Sequence, residues 1–177
     1  MLTLLVGGAR SGKSSAAVRL AARWARPVVA IVTGEPTDEE MAARIARHRD
    51  ERPDAWETLE EPLDLASALA RVPDDAGVIL DCLTLWVANA MAAGLEDAEV
   101  EERARAAATR MAERPGDGVV VSNDVGSGIV PMDPLTRRYR DLLGRVNAIW
   151  GEAADHVLLV LAGRAIPLRD PLELVDG

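Results

Sequence analysis

Two rhythms of apolar residues alternate along this chain. Largely apolar runs recur at Leu2–Val6, Pro27–Thr33, Gly77–Cys82, Gly118–Ser122 and His156–Leu161. They lack polar alternation and are too short to span a membrane, so they read as strands buried on both faces. Between them, apolar residues fall three and four apart, which predicts helices over 13–25, 63–72, 83–93, 97–114 and 134–154. One more helix opens at Thr37-x-x-Glu40, a capping box, and runs to about Arg52 before Pro53 stops it. Trp56–Leu59 reads as a short extra strand, and no element is assigned after Ala162. Strands alternating with helices predict an α/β fold: one domain over 1–177, a mostly parallel sheet and helices on both faces.

The first strand–helix junction carries the candidate chemistry. Gly7-x4-Gly12-Lys13-Ser14 has the phosphate-loop spacing and lies between a predicted strand and a predicted helix. Glycines let successive backbone N–H groups converge on an anion, and the helix N-terminus adds its unpaired donors. Lys13 supplies a point charge for the outer phosphates and Ser14 a hydroxyl for Mg2+. The expected fold class is therefore that of a P-loop NTPase, taken as RecA-like. The chain has nineteen arginines and one lysine, and the lysine is Lys13, so an ammonium is kept only where the loop geometry asks for one.

Composition narrows the partners. A formal charge of −9 argues against a nucleic-acid surface, which needs a basic stripe. With no Phe and one Tyr, the aliphatic residues and four Trp must fill the core. The single Cys82 can form no intrachain disulfide and fits a reducing cytoplasm. Neither an export leader nor a membrane span is expected.

In parallel sheets, ligands bind beyond the carboxyl ends of the strands. That edge collects the Gly7–Ser14 loop, Thr33–Gly34, Asp81 and Asn123–Gly128. Asp81 closes the apolar run Val78-Ile79-Leu80, the place for a carboxylate that holds Mg2+ or contacts a ribose; capping the next helix is its plainer role. Met41, Ile45 and His48 share one helix face, among Arg44, Arg47, Arg49 and Arg52. Those arginines suit phosphate or simply complement the helix C-terminus, and a neutral imidazole can attack phosphorus. His156, at a strand start, reads as a packing or capping residue.

These stretches together resemble the bifunctional adenosylcobinamide kinase/adenosylcobinamide-phosphate guanylyltransferase family of cobalamin biosynthesis. The resemblance rests on Gly-Gly-Ala-Arg-Ser-Gly-Lys-Ser (7–14), Met-Ala-Ala-Arg-Ile-x-x-His (41–48), Arg-Pro-x-x-Trp (52–56), Asn-Asp-Val-Gly-x-Gly-Ile-Val-Pro (123–131) and Arg-Asp-x-x-Gly-Arg-Val-Asn (140–147). It implies two reactions: phosphorylation of adenosylcobinamide by ATP or GTP, then GMP transfer from GTP to give adenosylcobinamide-GDP, through a guanylylated His48. By matching position it assigns nucleotide contacts to Gly7, Gly8, Ala9, Arg10, Ser11, Gly12, Lys13 and Ser14. It adds Val32, Thr33, Gly34, Arg49, Asp50, Glu51, Arg52, Glu60 and Asp81. Lys13 and His48 are the implied catalytic residues, Ser14 and Asp81 the implied Mg2+ ligands. Asp81 and Asp124 stand where many members of the family are expected to carry Glu. A homotrimer is implied, with 94–114 a candidate interface; Trp86, the Asn123–Pro131 loop and Arg140 are candidate corrinoid contacts. A single-activity P-loop kinase for another small metabolite, or a RecA-like nucleotide-binding module, would keep the phosphate loop and leave His48 structural.

Overall fold

The computed structural model describes residues 1–36 and 38–175, with the backbone alone at Arg44. Thr37, the expected helix cap, lies outside the described residues. The elements run β1 (Leu2–Gly7), α1 (Lys13–Ala21), β2 (Val28–Val32), α2 (Glu39–Asp50), β3 (Glu57–Glu60), α3 (Leu65–Arg71) and β4 (Gly77–Asp81). There follow α4 (Leu83–Ala92), α5 (Asp97–Ala112), β5 (Gly118–Asn123), α6 (Pro134–Ala153), β6 (His156–Leu161), β7 (Arg164–Leu168) and α7 (Pro171–Val175). Among the described residues these build one seven-stranded sheet of order β3-β2-β4-β5-β1-β6-β7, in which only β6 and β7 pair antiparallel.

The unbroken apolar runs have a simple cause. In each central strand, alternate residues feed opposite cores. Leu4, Val29, Ile31, Val78, Leu80 and Val120 join the larger cluster, with Trp86 and Trp150 and the apolar faces of α3 to α6. Leu5, Val28, Ala30, Ile79, Val119 and Val121 join the smaller one, covered by Ala17 and Ala21 of α1. Both faces are therefore dry, which removes polar alternation from the sequence. The tryptophans divide accordingly: Trp86 and Trp150 are fully buried, while Trp24 and Trp56 only flank the smaller cluster.

Helix α2 belongs to neither cluster. Its N-cap is Asp38, whose carboxylate accepts a hydrogen bond from Met41 N at 2.7 Å. The predicted helices fray earlier than their apolar spacing suggests; α1 ends at Ala21 and not Ala25. The region after Ala162 holds two elements that sequence pattern missed. β7 extends the sheet as an edge strand paired to β6 across an Ala162–Gly163 turn, and α7 follows it. His156 opens β6 as read, but it is exposed and not packed. No described helix is long and apolar enough to cross a membrane.

Candidate active site

The phosphate loop is held by its own lysine and by the far end of the chain. Lys13 is only 6% exposed. Its Nζ donates to Gly7 O at 2.8 Å, Gly8 O at 2.6 Å and Ser11 Oγ at 3.2 Å. Gly12, the N-cap of α1, has φ of 98°, a left-handed conformation that glycine adopts without a side-chain clash. At Gly7 the constraint is space: a Cβ there would stand 2.2 Å from Val160 O. The β6–β7 turn closes the back of the loop, with Gly163 N donating to Ser11 O at 2.8 Å. The tail with no sequence signal is thus a brace for the loop.

The strand order places β5 between β1 and β4, so the phosphate loop and Asp81 face each other across one strand. Between them opens a cavity of about 490 Å³, in the range of small-molecule sites. Loop residues Arg10, Ser11, Gly12, Lys13 and Ser14 form one wall. Met41, Ile45, Arg47, His48, Arg49, Glu51 and Arg52, on and just after α2, form another, facing Val32, Gly34, Glu60 and Asp81. The shared face of Met41, Ile45 and His48 is the one turned to the cavity. Gly7, Gly8, Ala9, Thr33 and Asp50 do not line it. Gly7 and Gly8 act through their carbonyls on Lys13, Ala9 and Asp50 are exposed, and Thr33 is fully buried.

Thr33 has work behind the wall. Its Oγ1 donates to Cys82 O at 2.7 Å and accepts from Cys82 N at 3.0 Å, while its backbone N donates to Asp81 O at 3.2 Å. Asn89 Nδ2 then donates to Thr33 O at 2.7 Å. The ends of β2 and β4 are clamped, and the backbone that carries the Asp81 carboxylate is fixed to the sheet.

That carboxylate is the centre of the site. Its Oδ1 lies 3.5 Å from Ser14 Oγ; its Oδ2 lies 3.5 Å from Arg52 Nη2 and 3.8 Å from His48 Nδ1. Arg49 pairs with Glu60 at 3.6 Å on the exposed rim, a contact of little energetic weight. The Cys82 thiol beside Asp81 is pushed up to about 11, first by burial and then by the neighbouring carboxylate. No group of three or more His, Cys, Asp or Glu able to hold a metal occurs among the described residues. Ser14 and Asp81 are the facing oxygen donors there that could hold a cation.

Sequence reasoning passed over Thr58, Leu85 and Glu40, which also line the cavity. Thr58 had a signal: it sits two residues before Glu60 on β3 and shares its face. Leu85 had none, because an apolar residue in the first turn of a helix looks like core.

The loop after β5 leaves from the cavity, which Asn123 lines. Asp124 N donates to Gly7 O at 3.1 Å. Asp124 accepts from the Ser127 hydroxyl and from Gly126 N, and those bonds hold its carboxyl below the usual range. Asn147 on α6 donates to Asn123 O at 2.9 Å and accepts from Ser122 Oγ. These contacts join the separate motifs at 123–131 and 140–147 into one support.

A family model described as cobinamide kinase / cobinamide phosphate guanyltransferase matches residues 3–168. The chain belongs to this family. Relatives in the cobinamide kinase / guanyltransferase family agree along their whole length. The bifunctional adenosylcobalamin biosynthesis protein CobP of Pseudomonas aeruginosa is 42% identical, covering 97% of this chain and 100% of its own. The bifunctional adenosylcobalamin biosynthesis proteins CobU of Salmonella typhimurium and Escherichia coli are 38% and 35% identical, each over 96% of this chain and 100% of theirs. Every block of the cobinamide kinase / guanyltransferase resemblance from 7 to 147 lies within the matched span. The unassigned tail is matched as far as Leu168, which includes the hairpin that braces the phosphate loop.

Proposed function

We propose that this chain phosphorylates the aminopropanol hydroxyl of adenosylcobinamide with ATP or GTP and then transfers GMP from GTP to the new phosphate through His48. The observation that carries this reading is one cavity holding both a phosphate-loop lysine and a histidine. His48 stands 3.8 Å from the same carboxylate that faces Ser14. A single-activity kinase would leave that imidazole structural.

In the first reaction the hydroxyl oxygen bonds to the terminal phosphorus, its proton passes to solvent, and the bridging P–O bond breaks with its electron pair on the departing diphosphate. Lys13 exchanges the carbonyls of Gly7 and Gly8 for phosphate oxygens, and the loop N–H groups hold the chain of phosphates. In the second, His48 bonds to the α-phosphorus of GTP and pyrophosphate leaves. The acceptor phosphate oxygen then displaces the histidine. Arg47, Arg49 and Arg52 line the side from which charge must be drawn off. Mg2+, held by Ser14 and Asp81, would supply electrostatic relief for the transferring phosphates.

The cavity accommodates a nucleotide, which leaves the corrinoid body to the rim. Trp86 is fully buried and drops out as a contact. The loop to Pro131 and its continuation suit an amide-fringed macrocycle better, with Ile129 97% and Met132 94% exposed. For a homotrimer, 94–114 is a poor candidate because the apolar side of α5 is already buried against its own protomer. The exposed apolar residues of β7 and α7, Ile166, Leu168, Leu172, Leu174 and Val175, on an unpaired sheet edge, favour association there. A cytoplasmic setting suits the nucleotide substrates and the lone thiol.

Incubation with GTP labelled at the α-phosphate tests the reading. An acid-labile, base-stable protein label is expected, absent in His48→Ala, while that variant still phosphorylates cobinamide. A wild-type protein that phosphorylates but never takes the label is a single-activity kinase.

A further inference from the structure

Asp81 faces two ways. Oδ1 points to Ser14 and the phosphate-loop side; Oδ2 points to Arg52 Nη2 and His48 Nδ1, at 3.5 and 3.8 Å. The three side chains that meet on Oδ2 are substantially covered: Asp81 is 14% exposed, Arg52 8% and His48 25%. The carboxylate sits at the end of β4, where Thr33 ties the following residue down on both its N–H and C=O. His48, by contrast, rides on α2, which no core cluster includes. A carboxylate on a clamped backbone therefore meets one particular nitrogen of an imidazole on a helix that lies outside both core clusters.

We propose that Asp81 is a positioning residue that holds His48 by Nδ1, so that Nε2 is the atom that carries the guanylate. The proposal rests on the reading of His48 given above. At 3.8 Å the resting contact is longer than a hydrogen bond, but the carboxylate's charge already favours the proton on Nδ1 over Nε2, and catalytic contacts of this kind tighten when substrate binds. Nε2, across the ring, keeps its lone pair for the cavity. Its attack forms the N–P bond; the bond from the α-phosphorus to the bridging oxygen breaks, and pyrophosphate takes the electron pair. The ring is now cationic with Nδ1–H unchanged, and the Asp81 carboxylate balances that charge. When the acceptor phosphate oxygen attacks the same phosphorus, the N–P pair returns to Nε2 and the ring is neutral again. No proton enters or leaves the ring in either displacement, so Asp81 orients and compensates without acting as a base. Arg52 shares Oδ2 and limits the carboxylate's swing toward Ser14.

The chain's two histidines make the test direct. Protein carrying isotope-labelled histidine is studied by nitrogen NMR at about pH 9, well above the ordinary imidazole pKa of about 6.5. His156→Gln assigns the remaining signal to His48. The expected wild-type result is the Nδ1–H tautomer of His48 without nucleotide, reverting in Asp81→Ala to the Nε2–H form that free imidazole side chains favour. Asp81→Glu is expected to restore it. After GTP, phosphorus coupling is expected on Nε2. An Nε2–H tautomer in the resting wild type, or a tautomer indifferent to Asp81→Ala, overturns the proposal. Guanylate on Nδ1 overturns it while leaving His48 as the carrier; no guanylate on either nitrogen removes the carrier reading and the proposal with it.

Discussion

Thr33 separates two roles that sequence reading merges, and replacing it measures how far the Asp81 clamp matters. Thr33→Val keeps the side-chain shape and deletes two hydrogen bonds, to Cys82 O at 2.7 Å and from Cys82 N at 3.0 Å. Cys82 O retains Trp86 N at 3.2 Å, so one donor, Cys82 N–H, is orphaned. An orphaned buried donor costs about 1–3 kcal/mol. The added methyl recovers under about 1 kcal/mol. Thr33→Ser keeps both bonds and loses a methyl at a site with 0% exposure, a cost of about 1 kcal/mol. The two variants should therefore melt within a few degrees of each other, both below wild type. Their chemistry should part. With valine, the segment that carries Asp81 keeps the backbone bond from Thr33 N but loses both bonds to Cys82, and displaced support around a reacting group typically costs about 10–100-fold. We expect α-phosphate labelling of His48 to slow by about tenfold or more in Thr33→Val and to stay within about twofold of wild type in Thr33→Ser. Single-turnover labelling alongside thermal denaturation reads both quantities. Equal labelling rates in the two variants would refute the clamp, as would rates that simply follow melting temperature.

Three further outcomes follow from the same geometry. Lys13→Ala and Lys13→Arg should both lower phosphoryl transfer by about 10²–10³-fold, because alanine removes the ammonium and a planar guanidinium does not fit the buried pocket formed by Gly7 O, Gly8 O and Ser11 Oγ; steady-state kinase assays decide it. With its pKa at about 11, the Cys82 thiol should react with a thiol reagent at neutral pH about a hundredfold more slowly than free cysteine, and at the ordinary rate after unfolding. Asp97 is held below the usual carboxylate range, first by the hydrogen bond from Arg138 and then by Arg145, at the seam of α5 and α6. A depressed carboxyl contributes stability above its unfolded pKa of about 3.9 that is lost as pH falls through the folded value. Asp97→Asn should accordingly cost under about 1 kcal/mol at pH 7, since the pair is solvent-exposed, and progressively less as the pH is lowered below the unfolded pKa; urea titrations across that range compare them.

Much of the molecule is local, and local rules reach it. The unbroken apolar runs of β1, β2, β4 and β5, the glycine–lysine loop and the helical face of Met41, Ile45 and His48 were all set by spacing along the chain. Periodicity is a property of neighbours, so one sequence suffices to read it. What spacing does not carry is which side of a wall a residue stands on. Thr33 and Gly34 are adjacent, yet one is sealed behind β4 and the other faces the cavity. Trp86 and Leu85 are adjacent too; the larger ring went inward and the leucine lines the site. Those choices depend on how α4 is rotated against the sheet, a long-range packing outcome. The β6–β7 turn makes the point most plainly. Nothing in Ala162–Gly163 signals a nucleotide site, and only the closing of the sheet brings Gly163 N to Ser11 O, more than 150 residues away along the chain. The sequence alone determined which chemistry is present; tertiary structure decided which atoms of Asp81 and His48 meet, because hydrogen-bond geometry between distant segments is fixed by the assembled core and by no stretch within it.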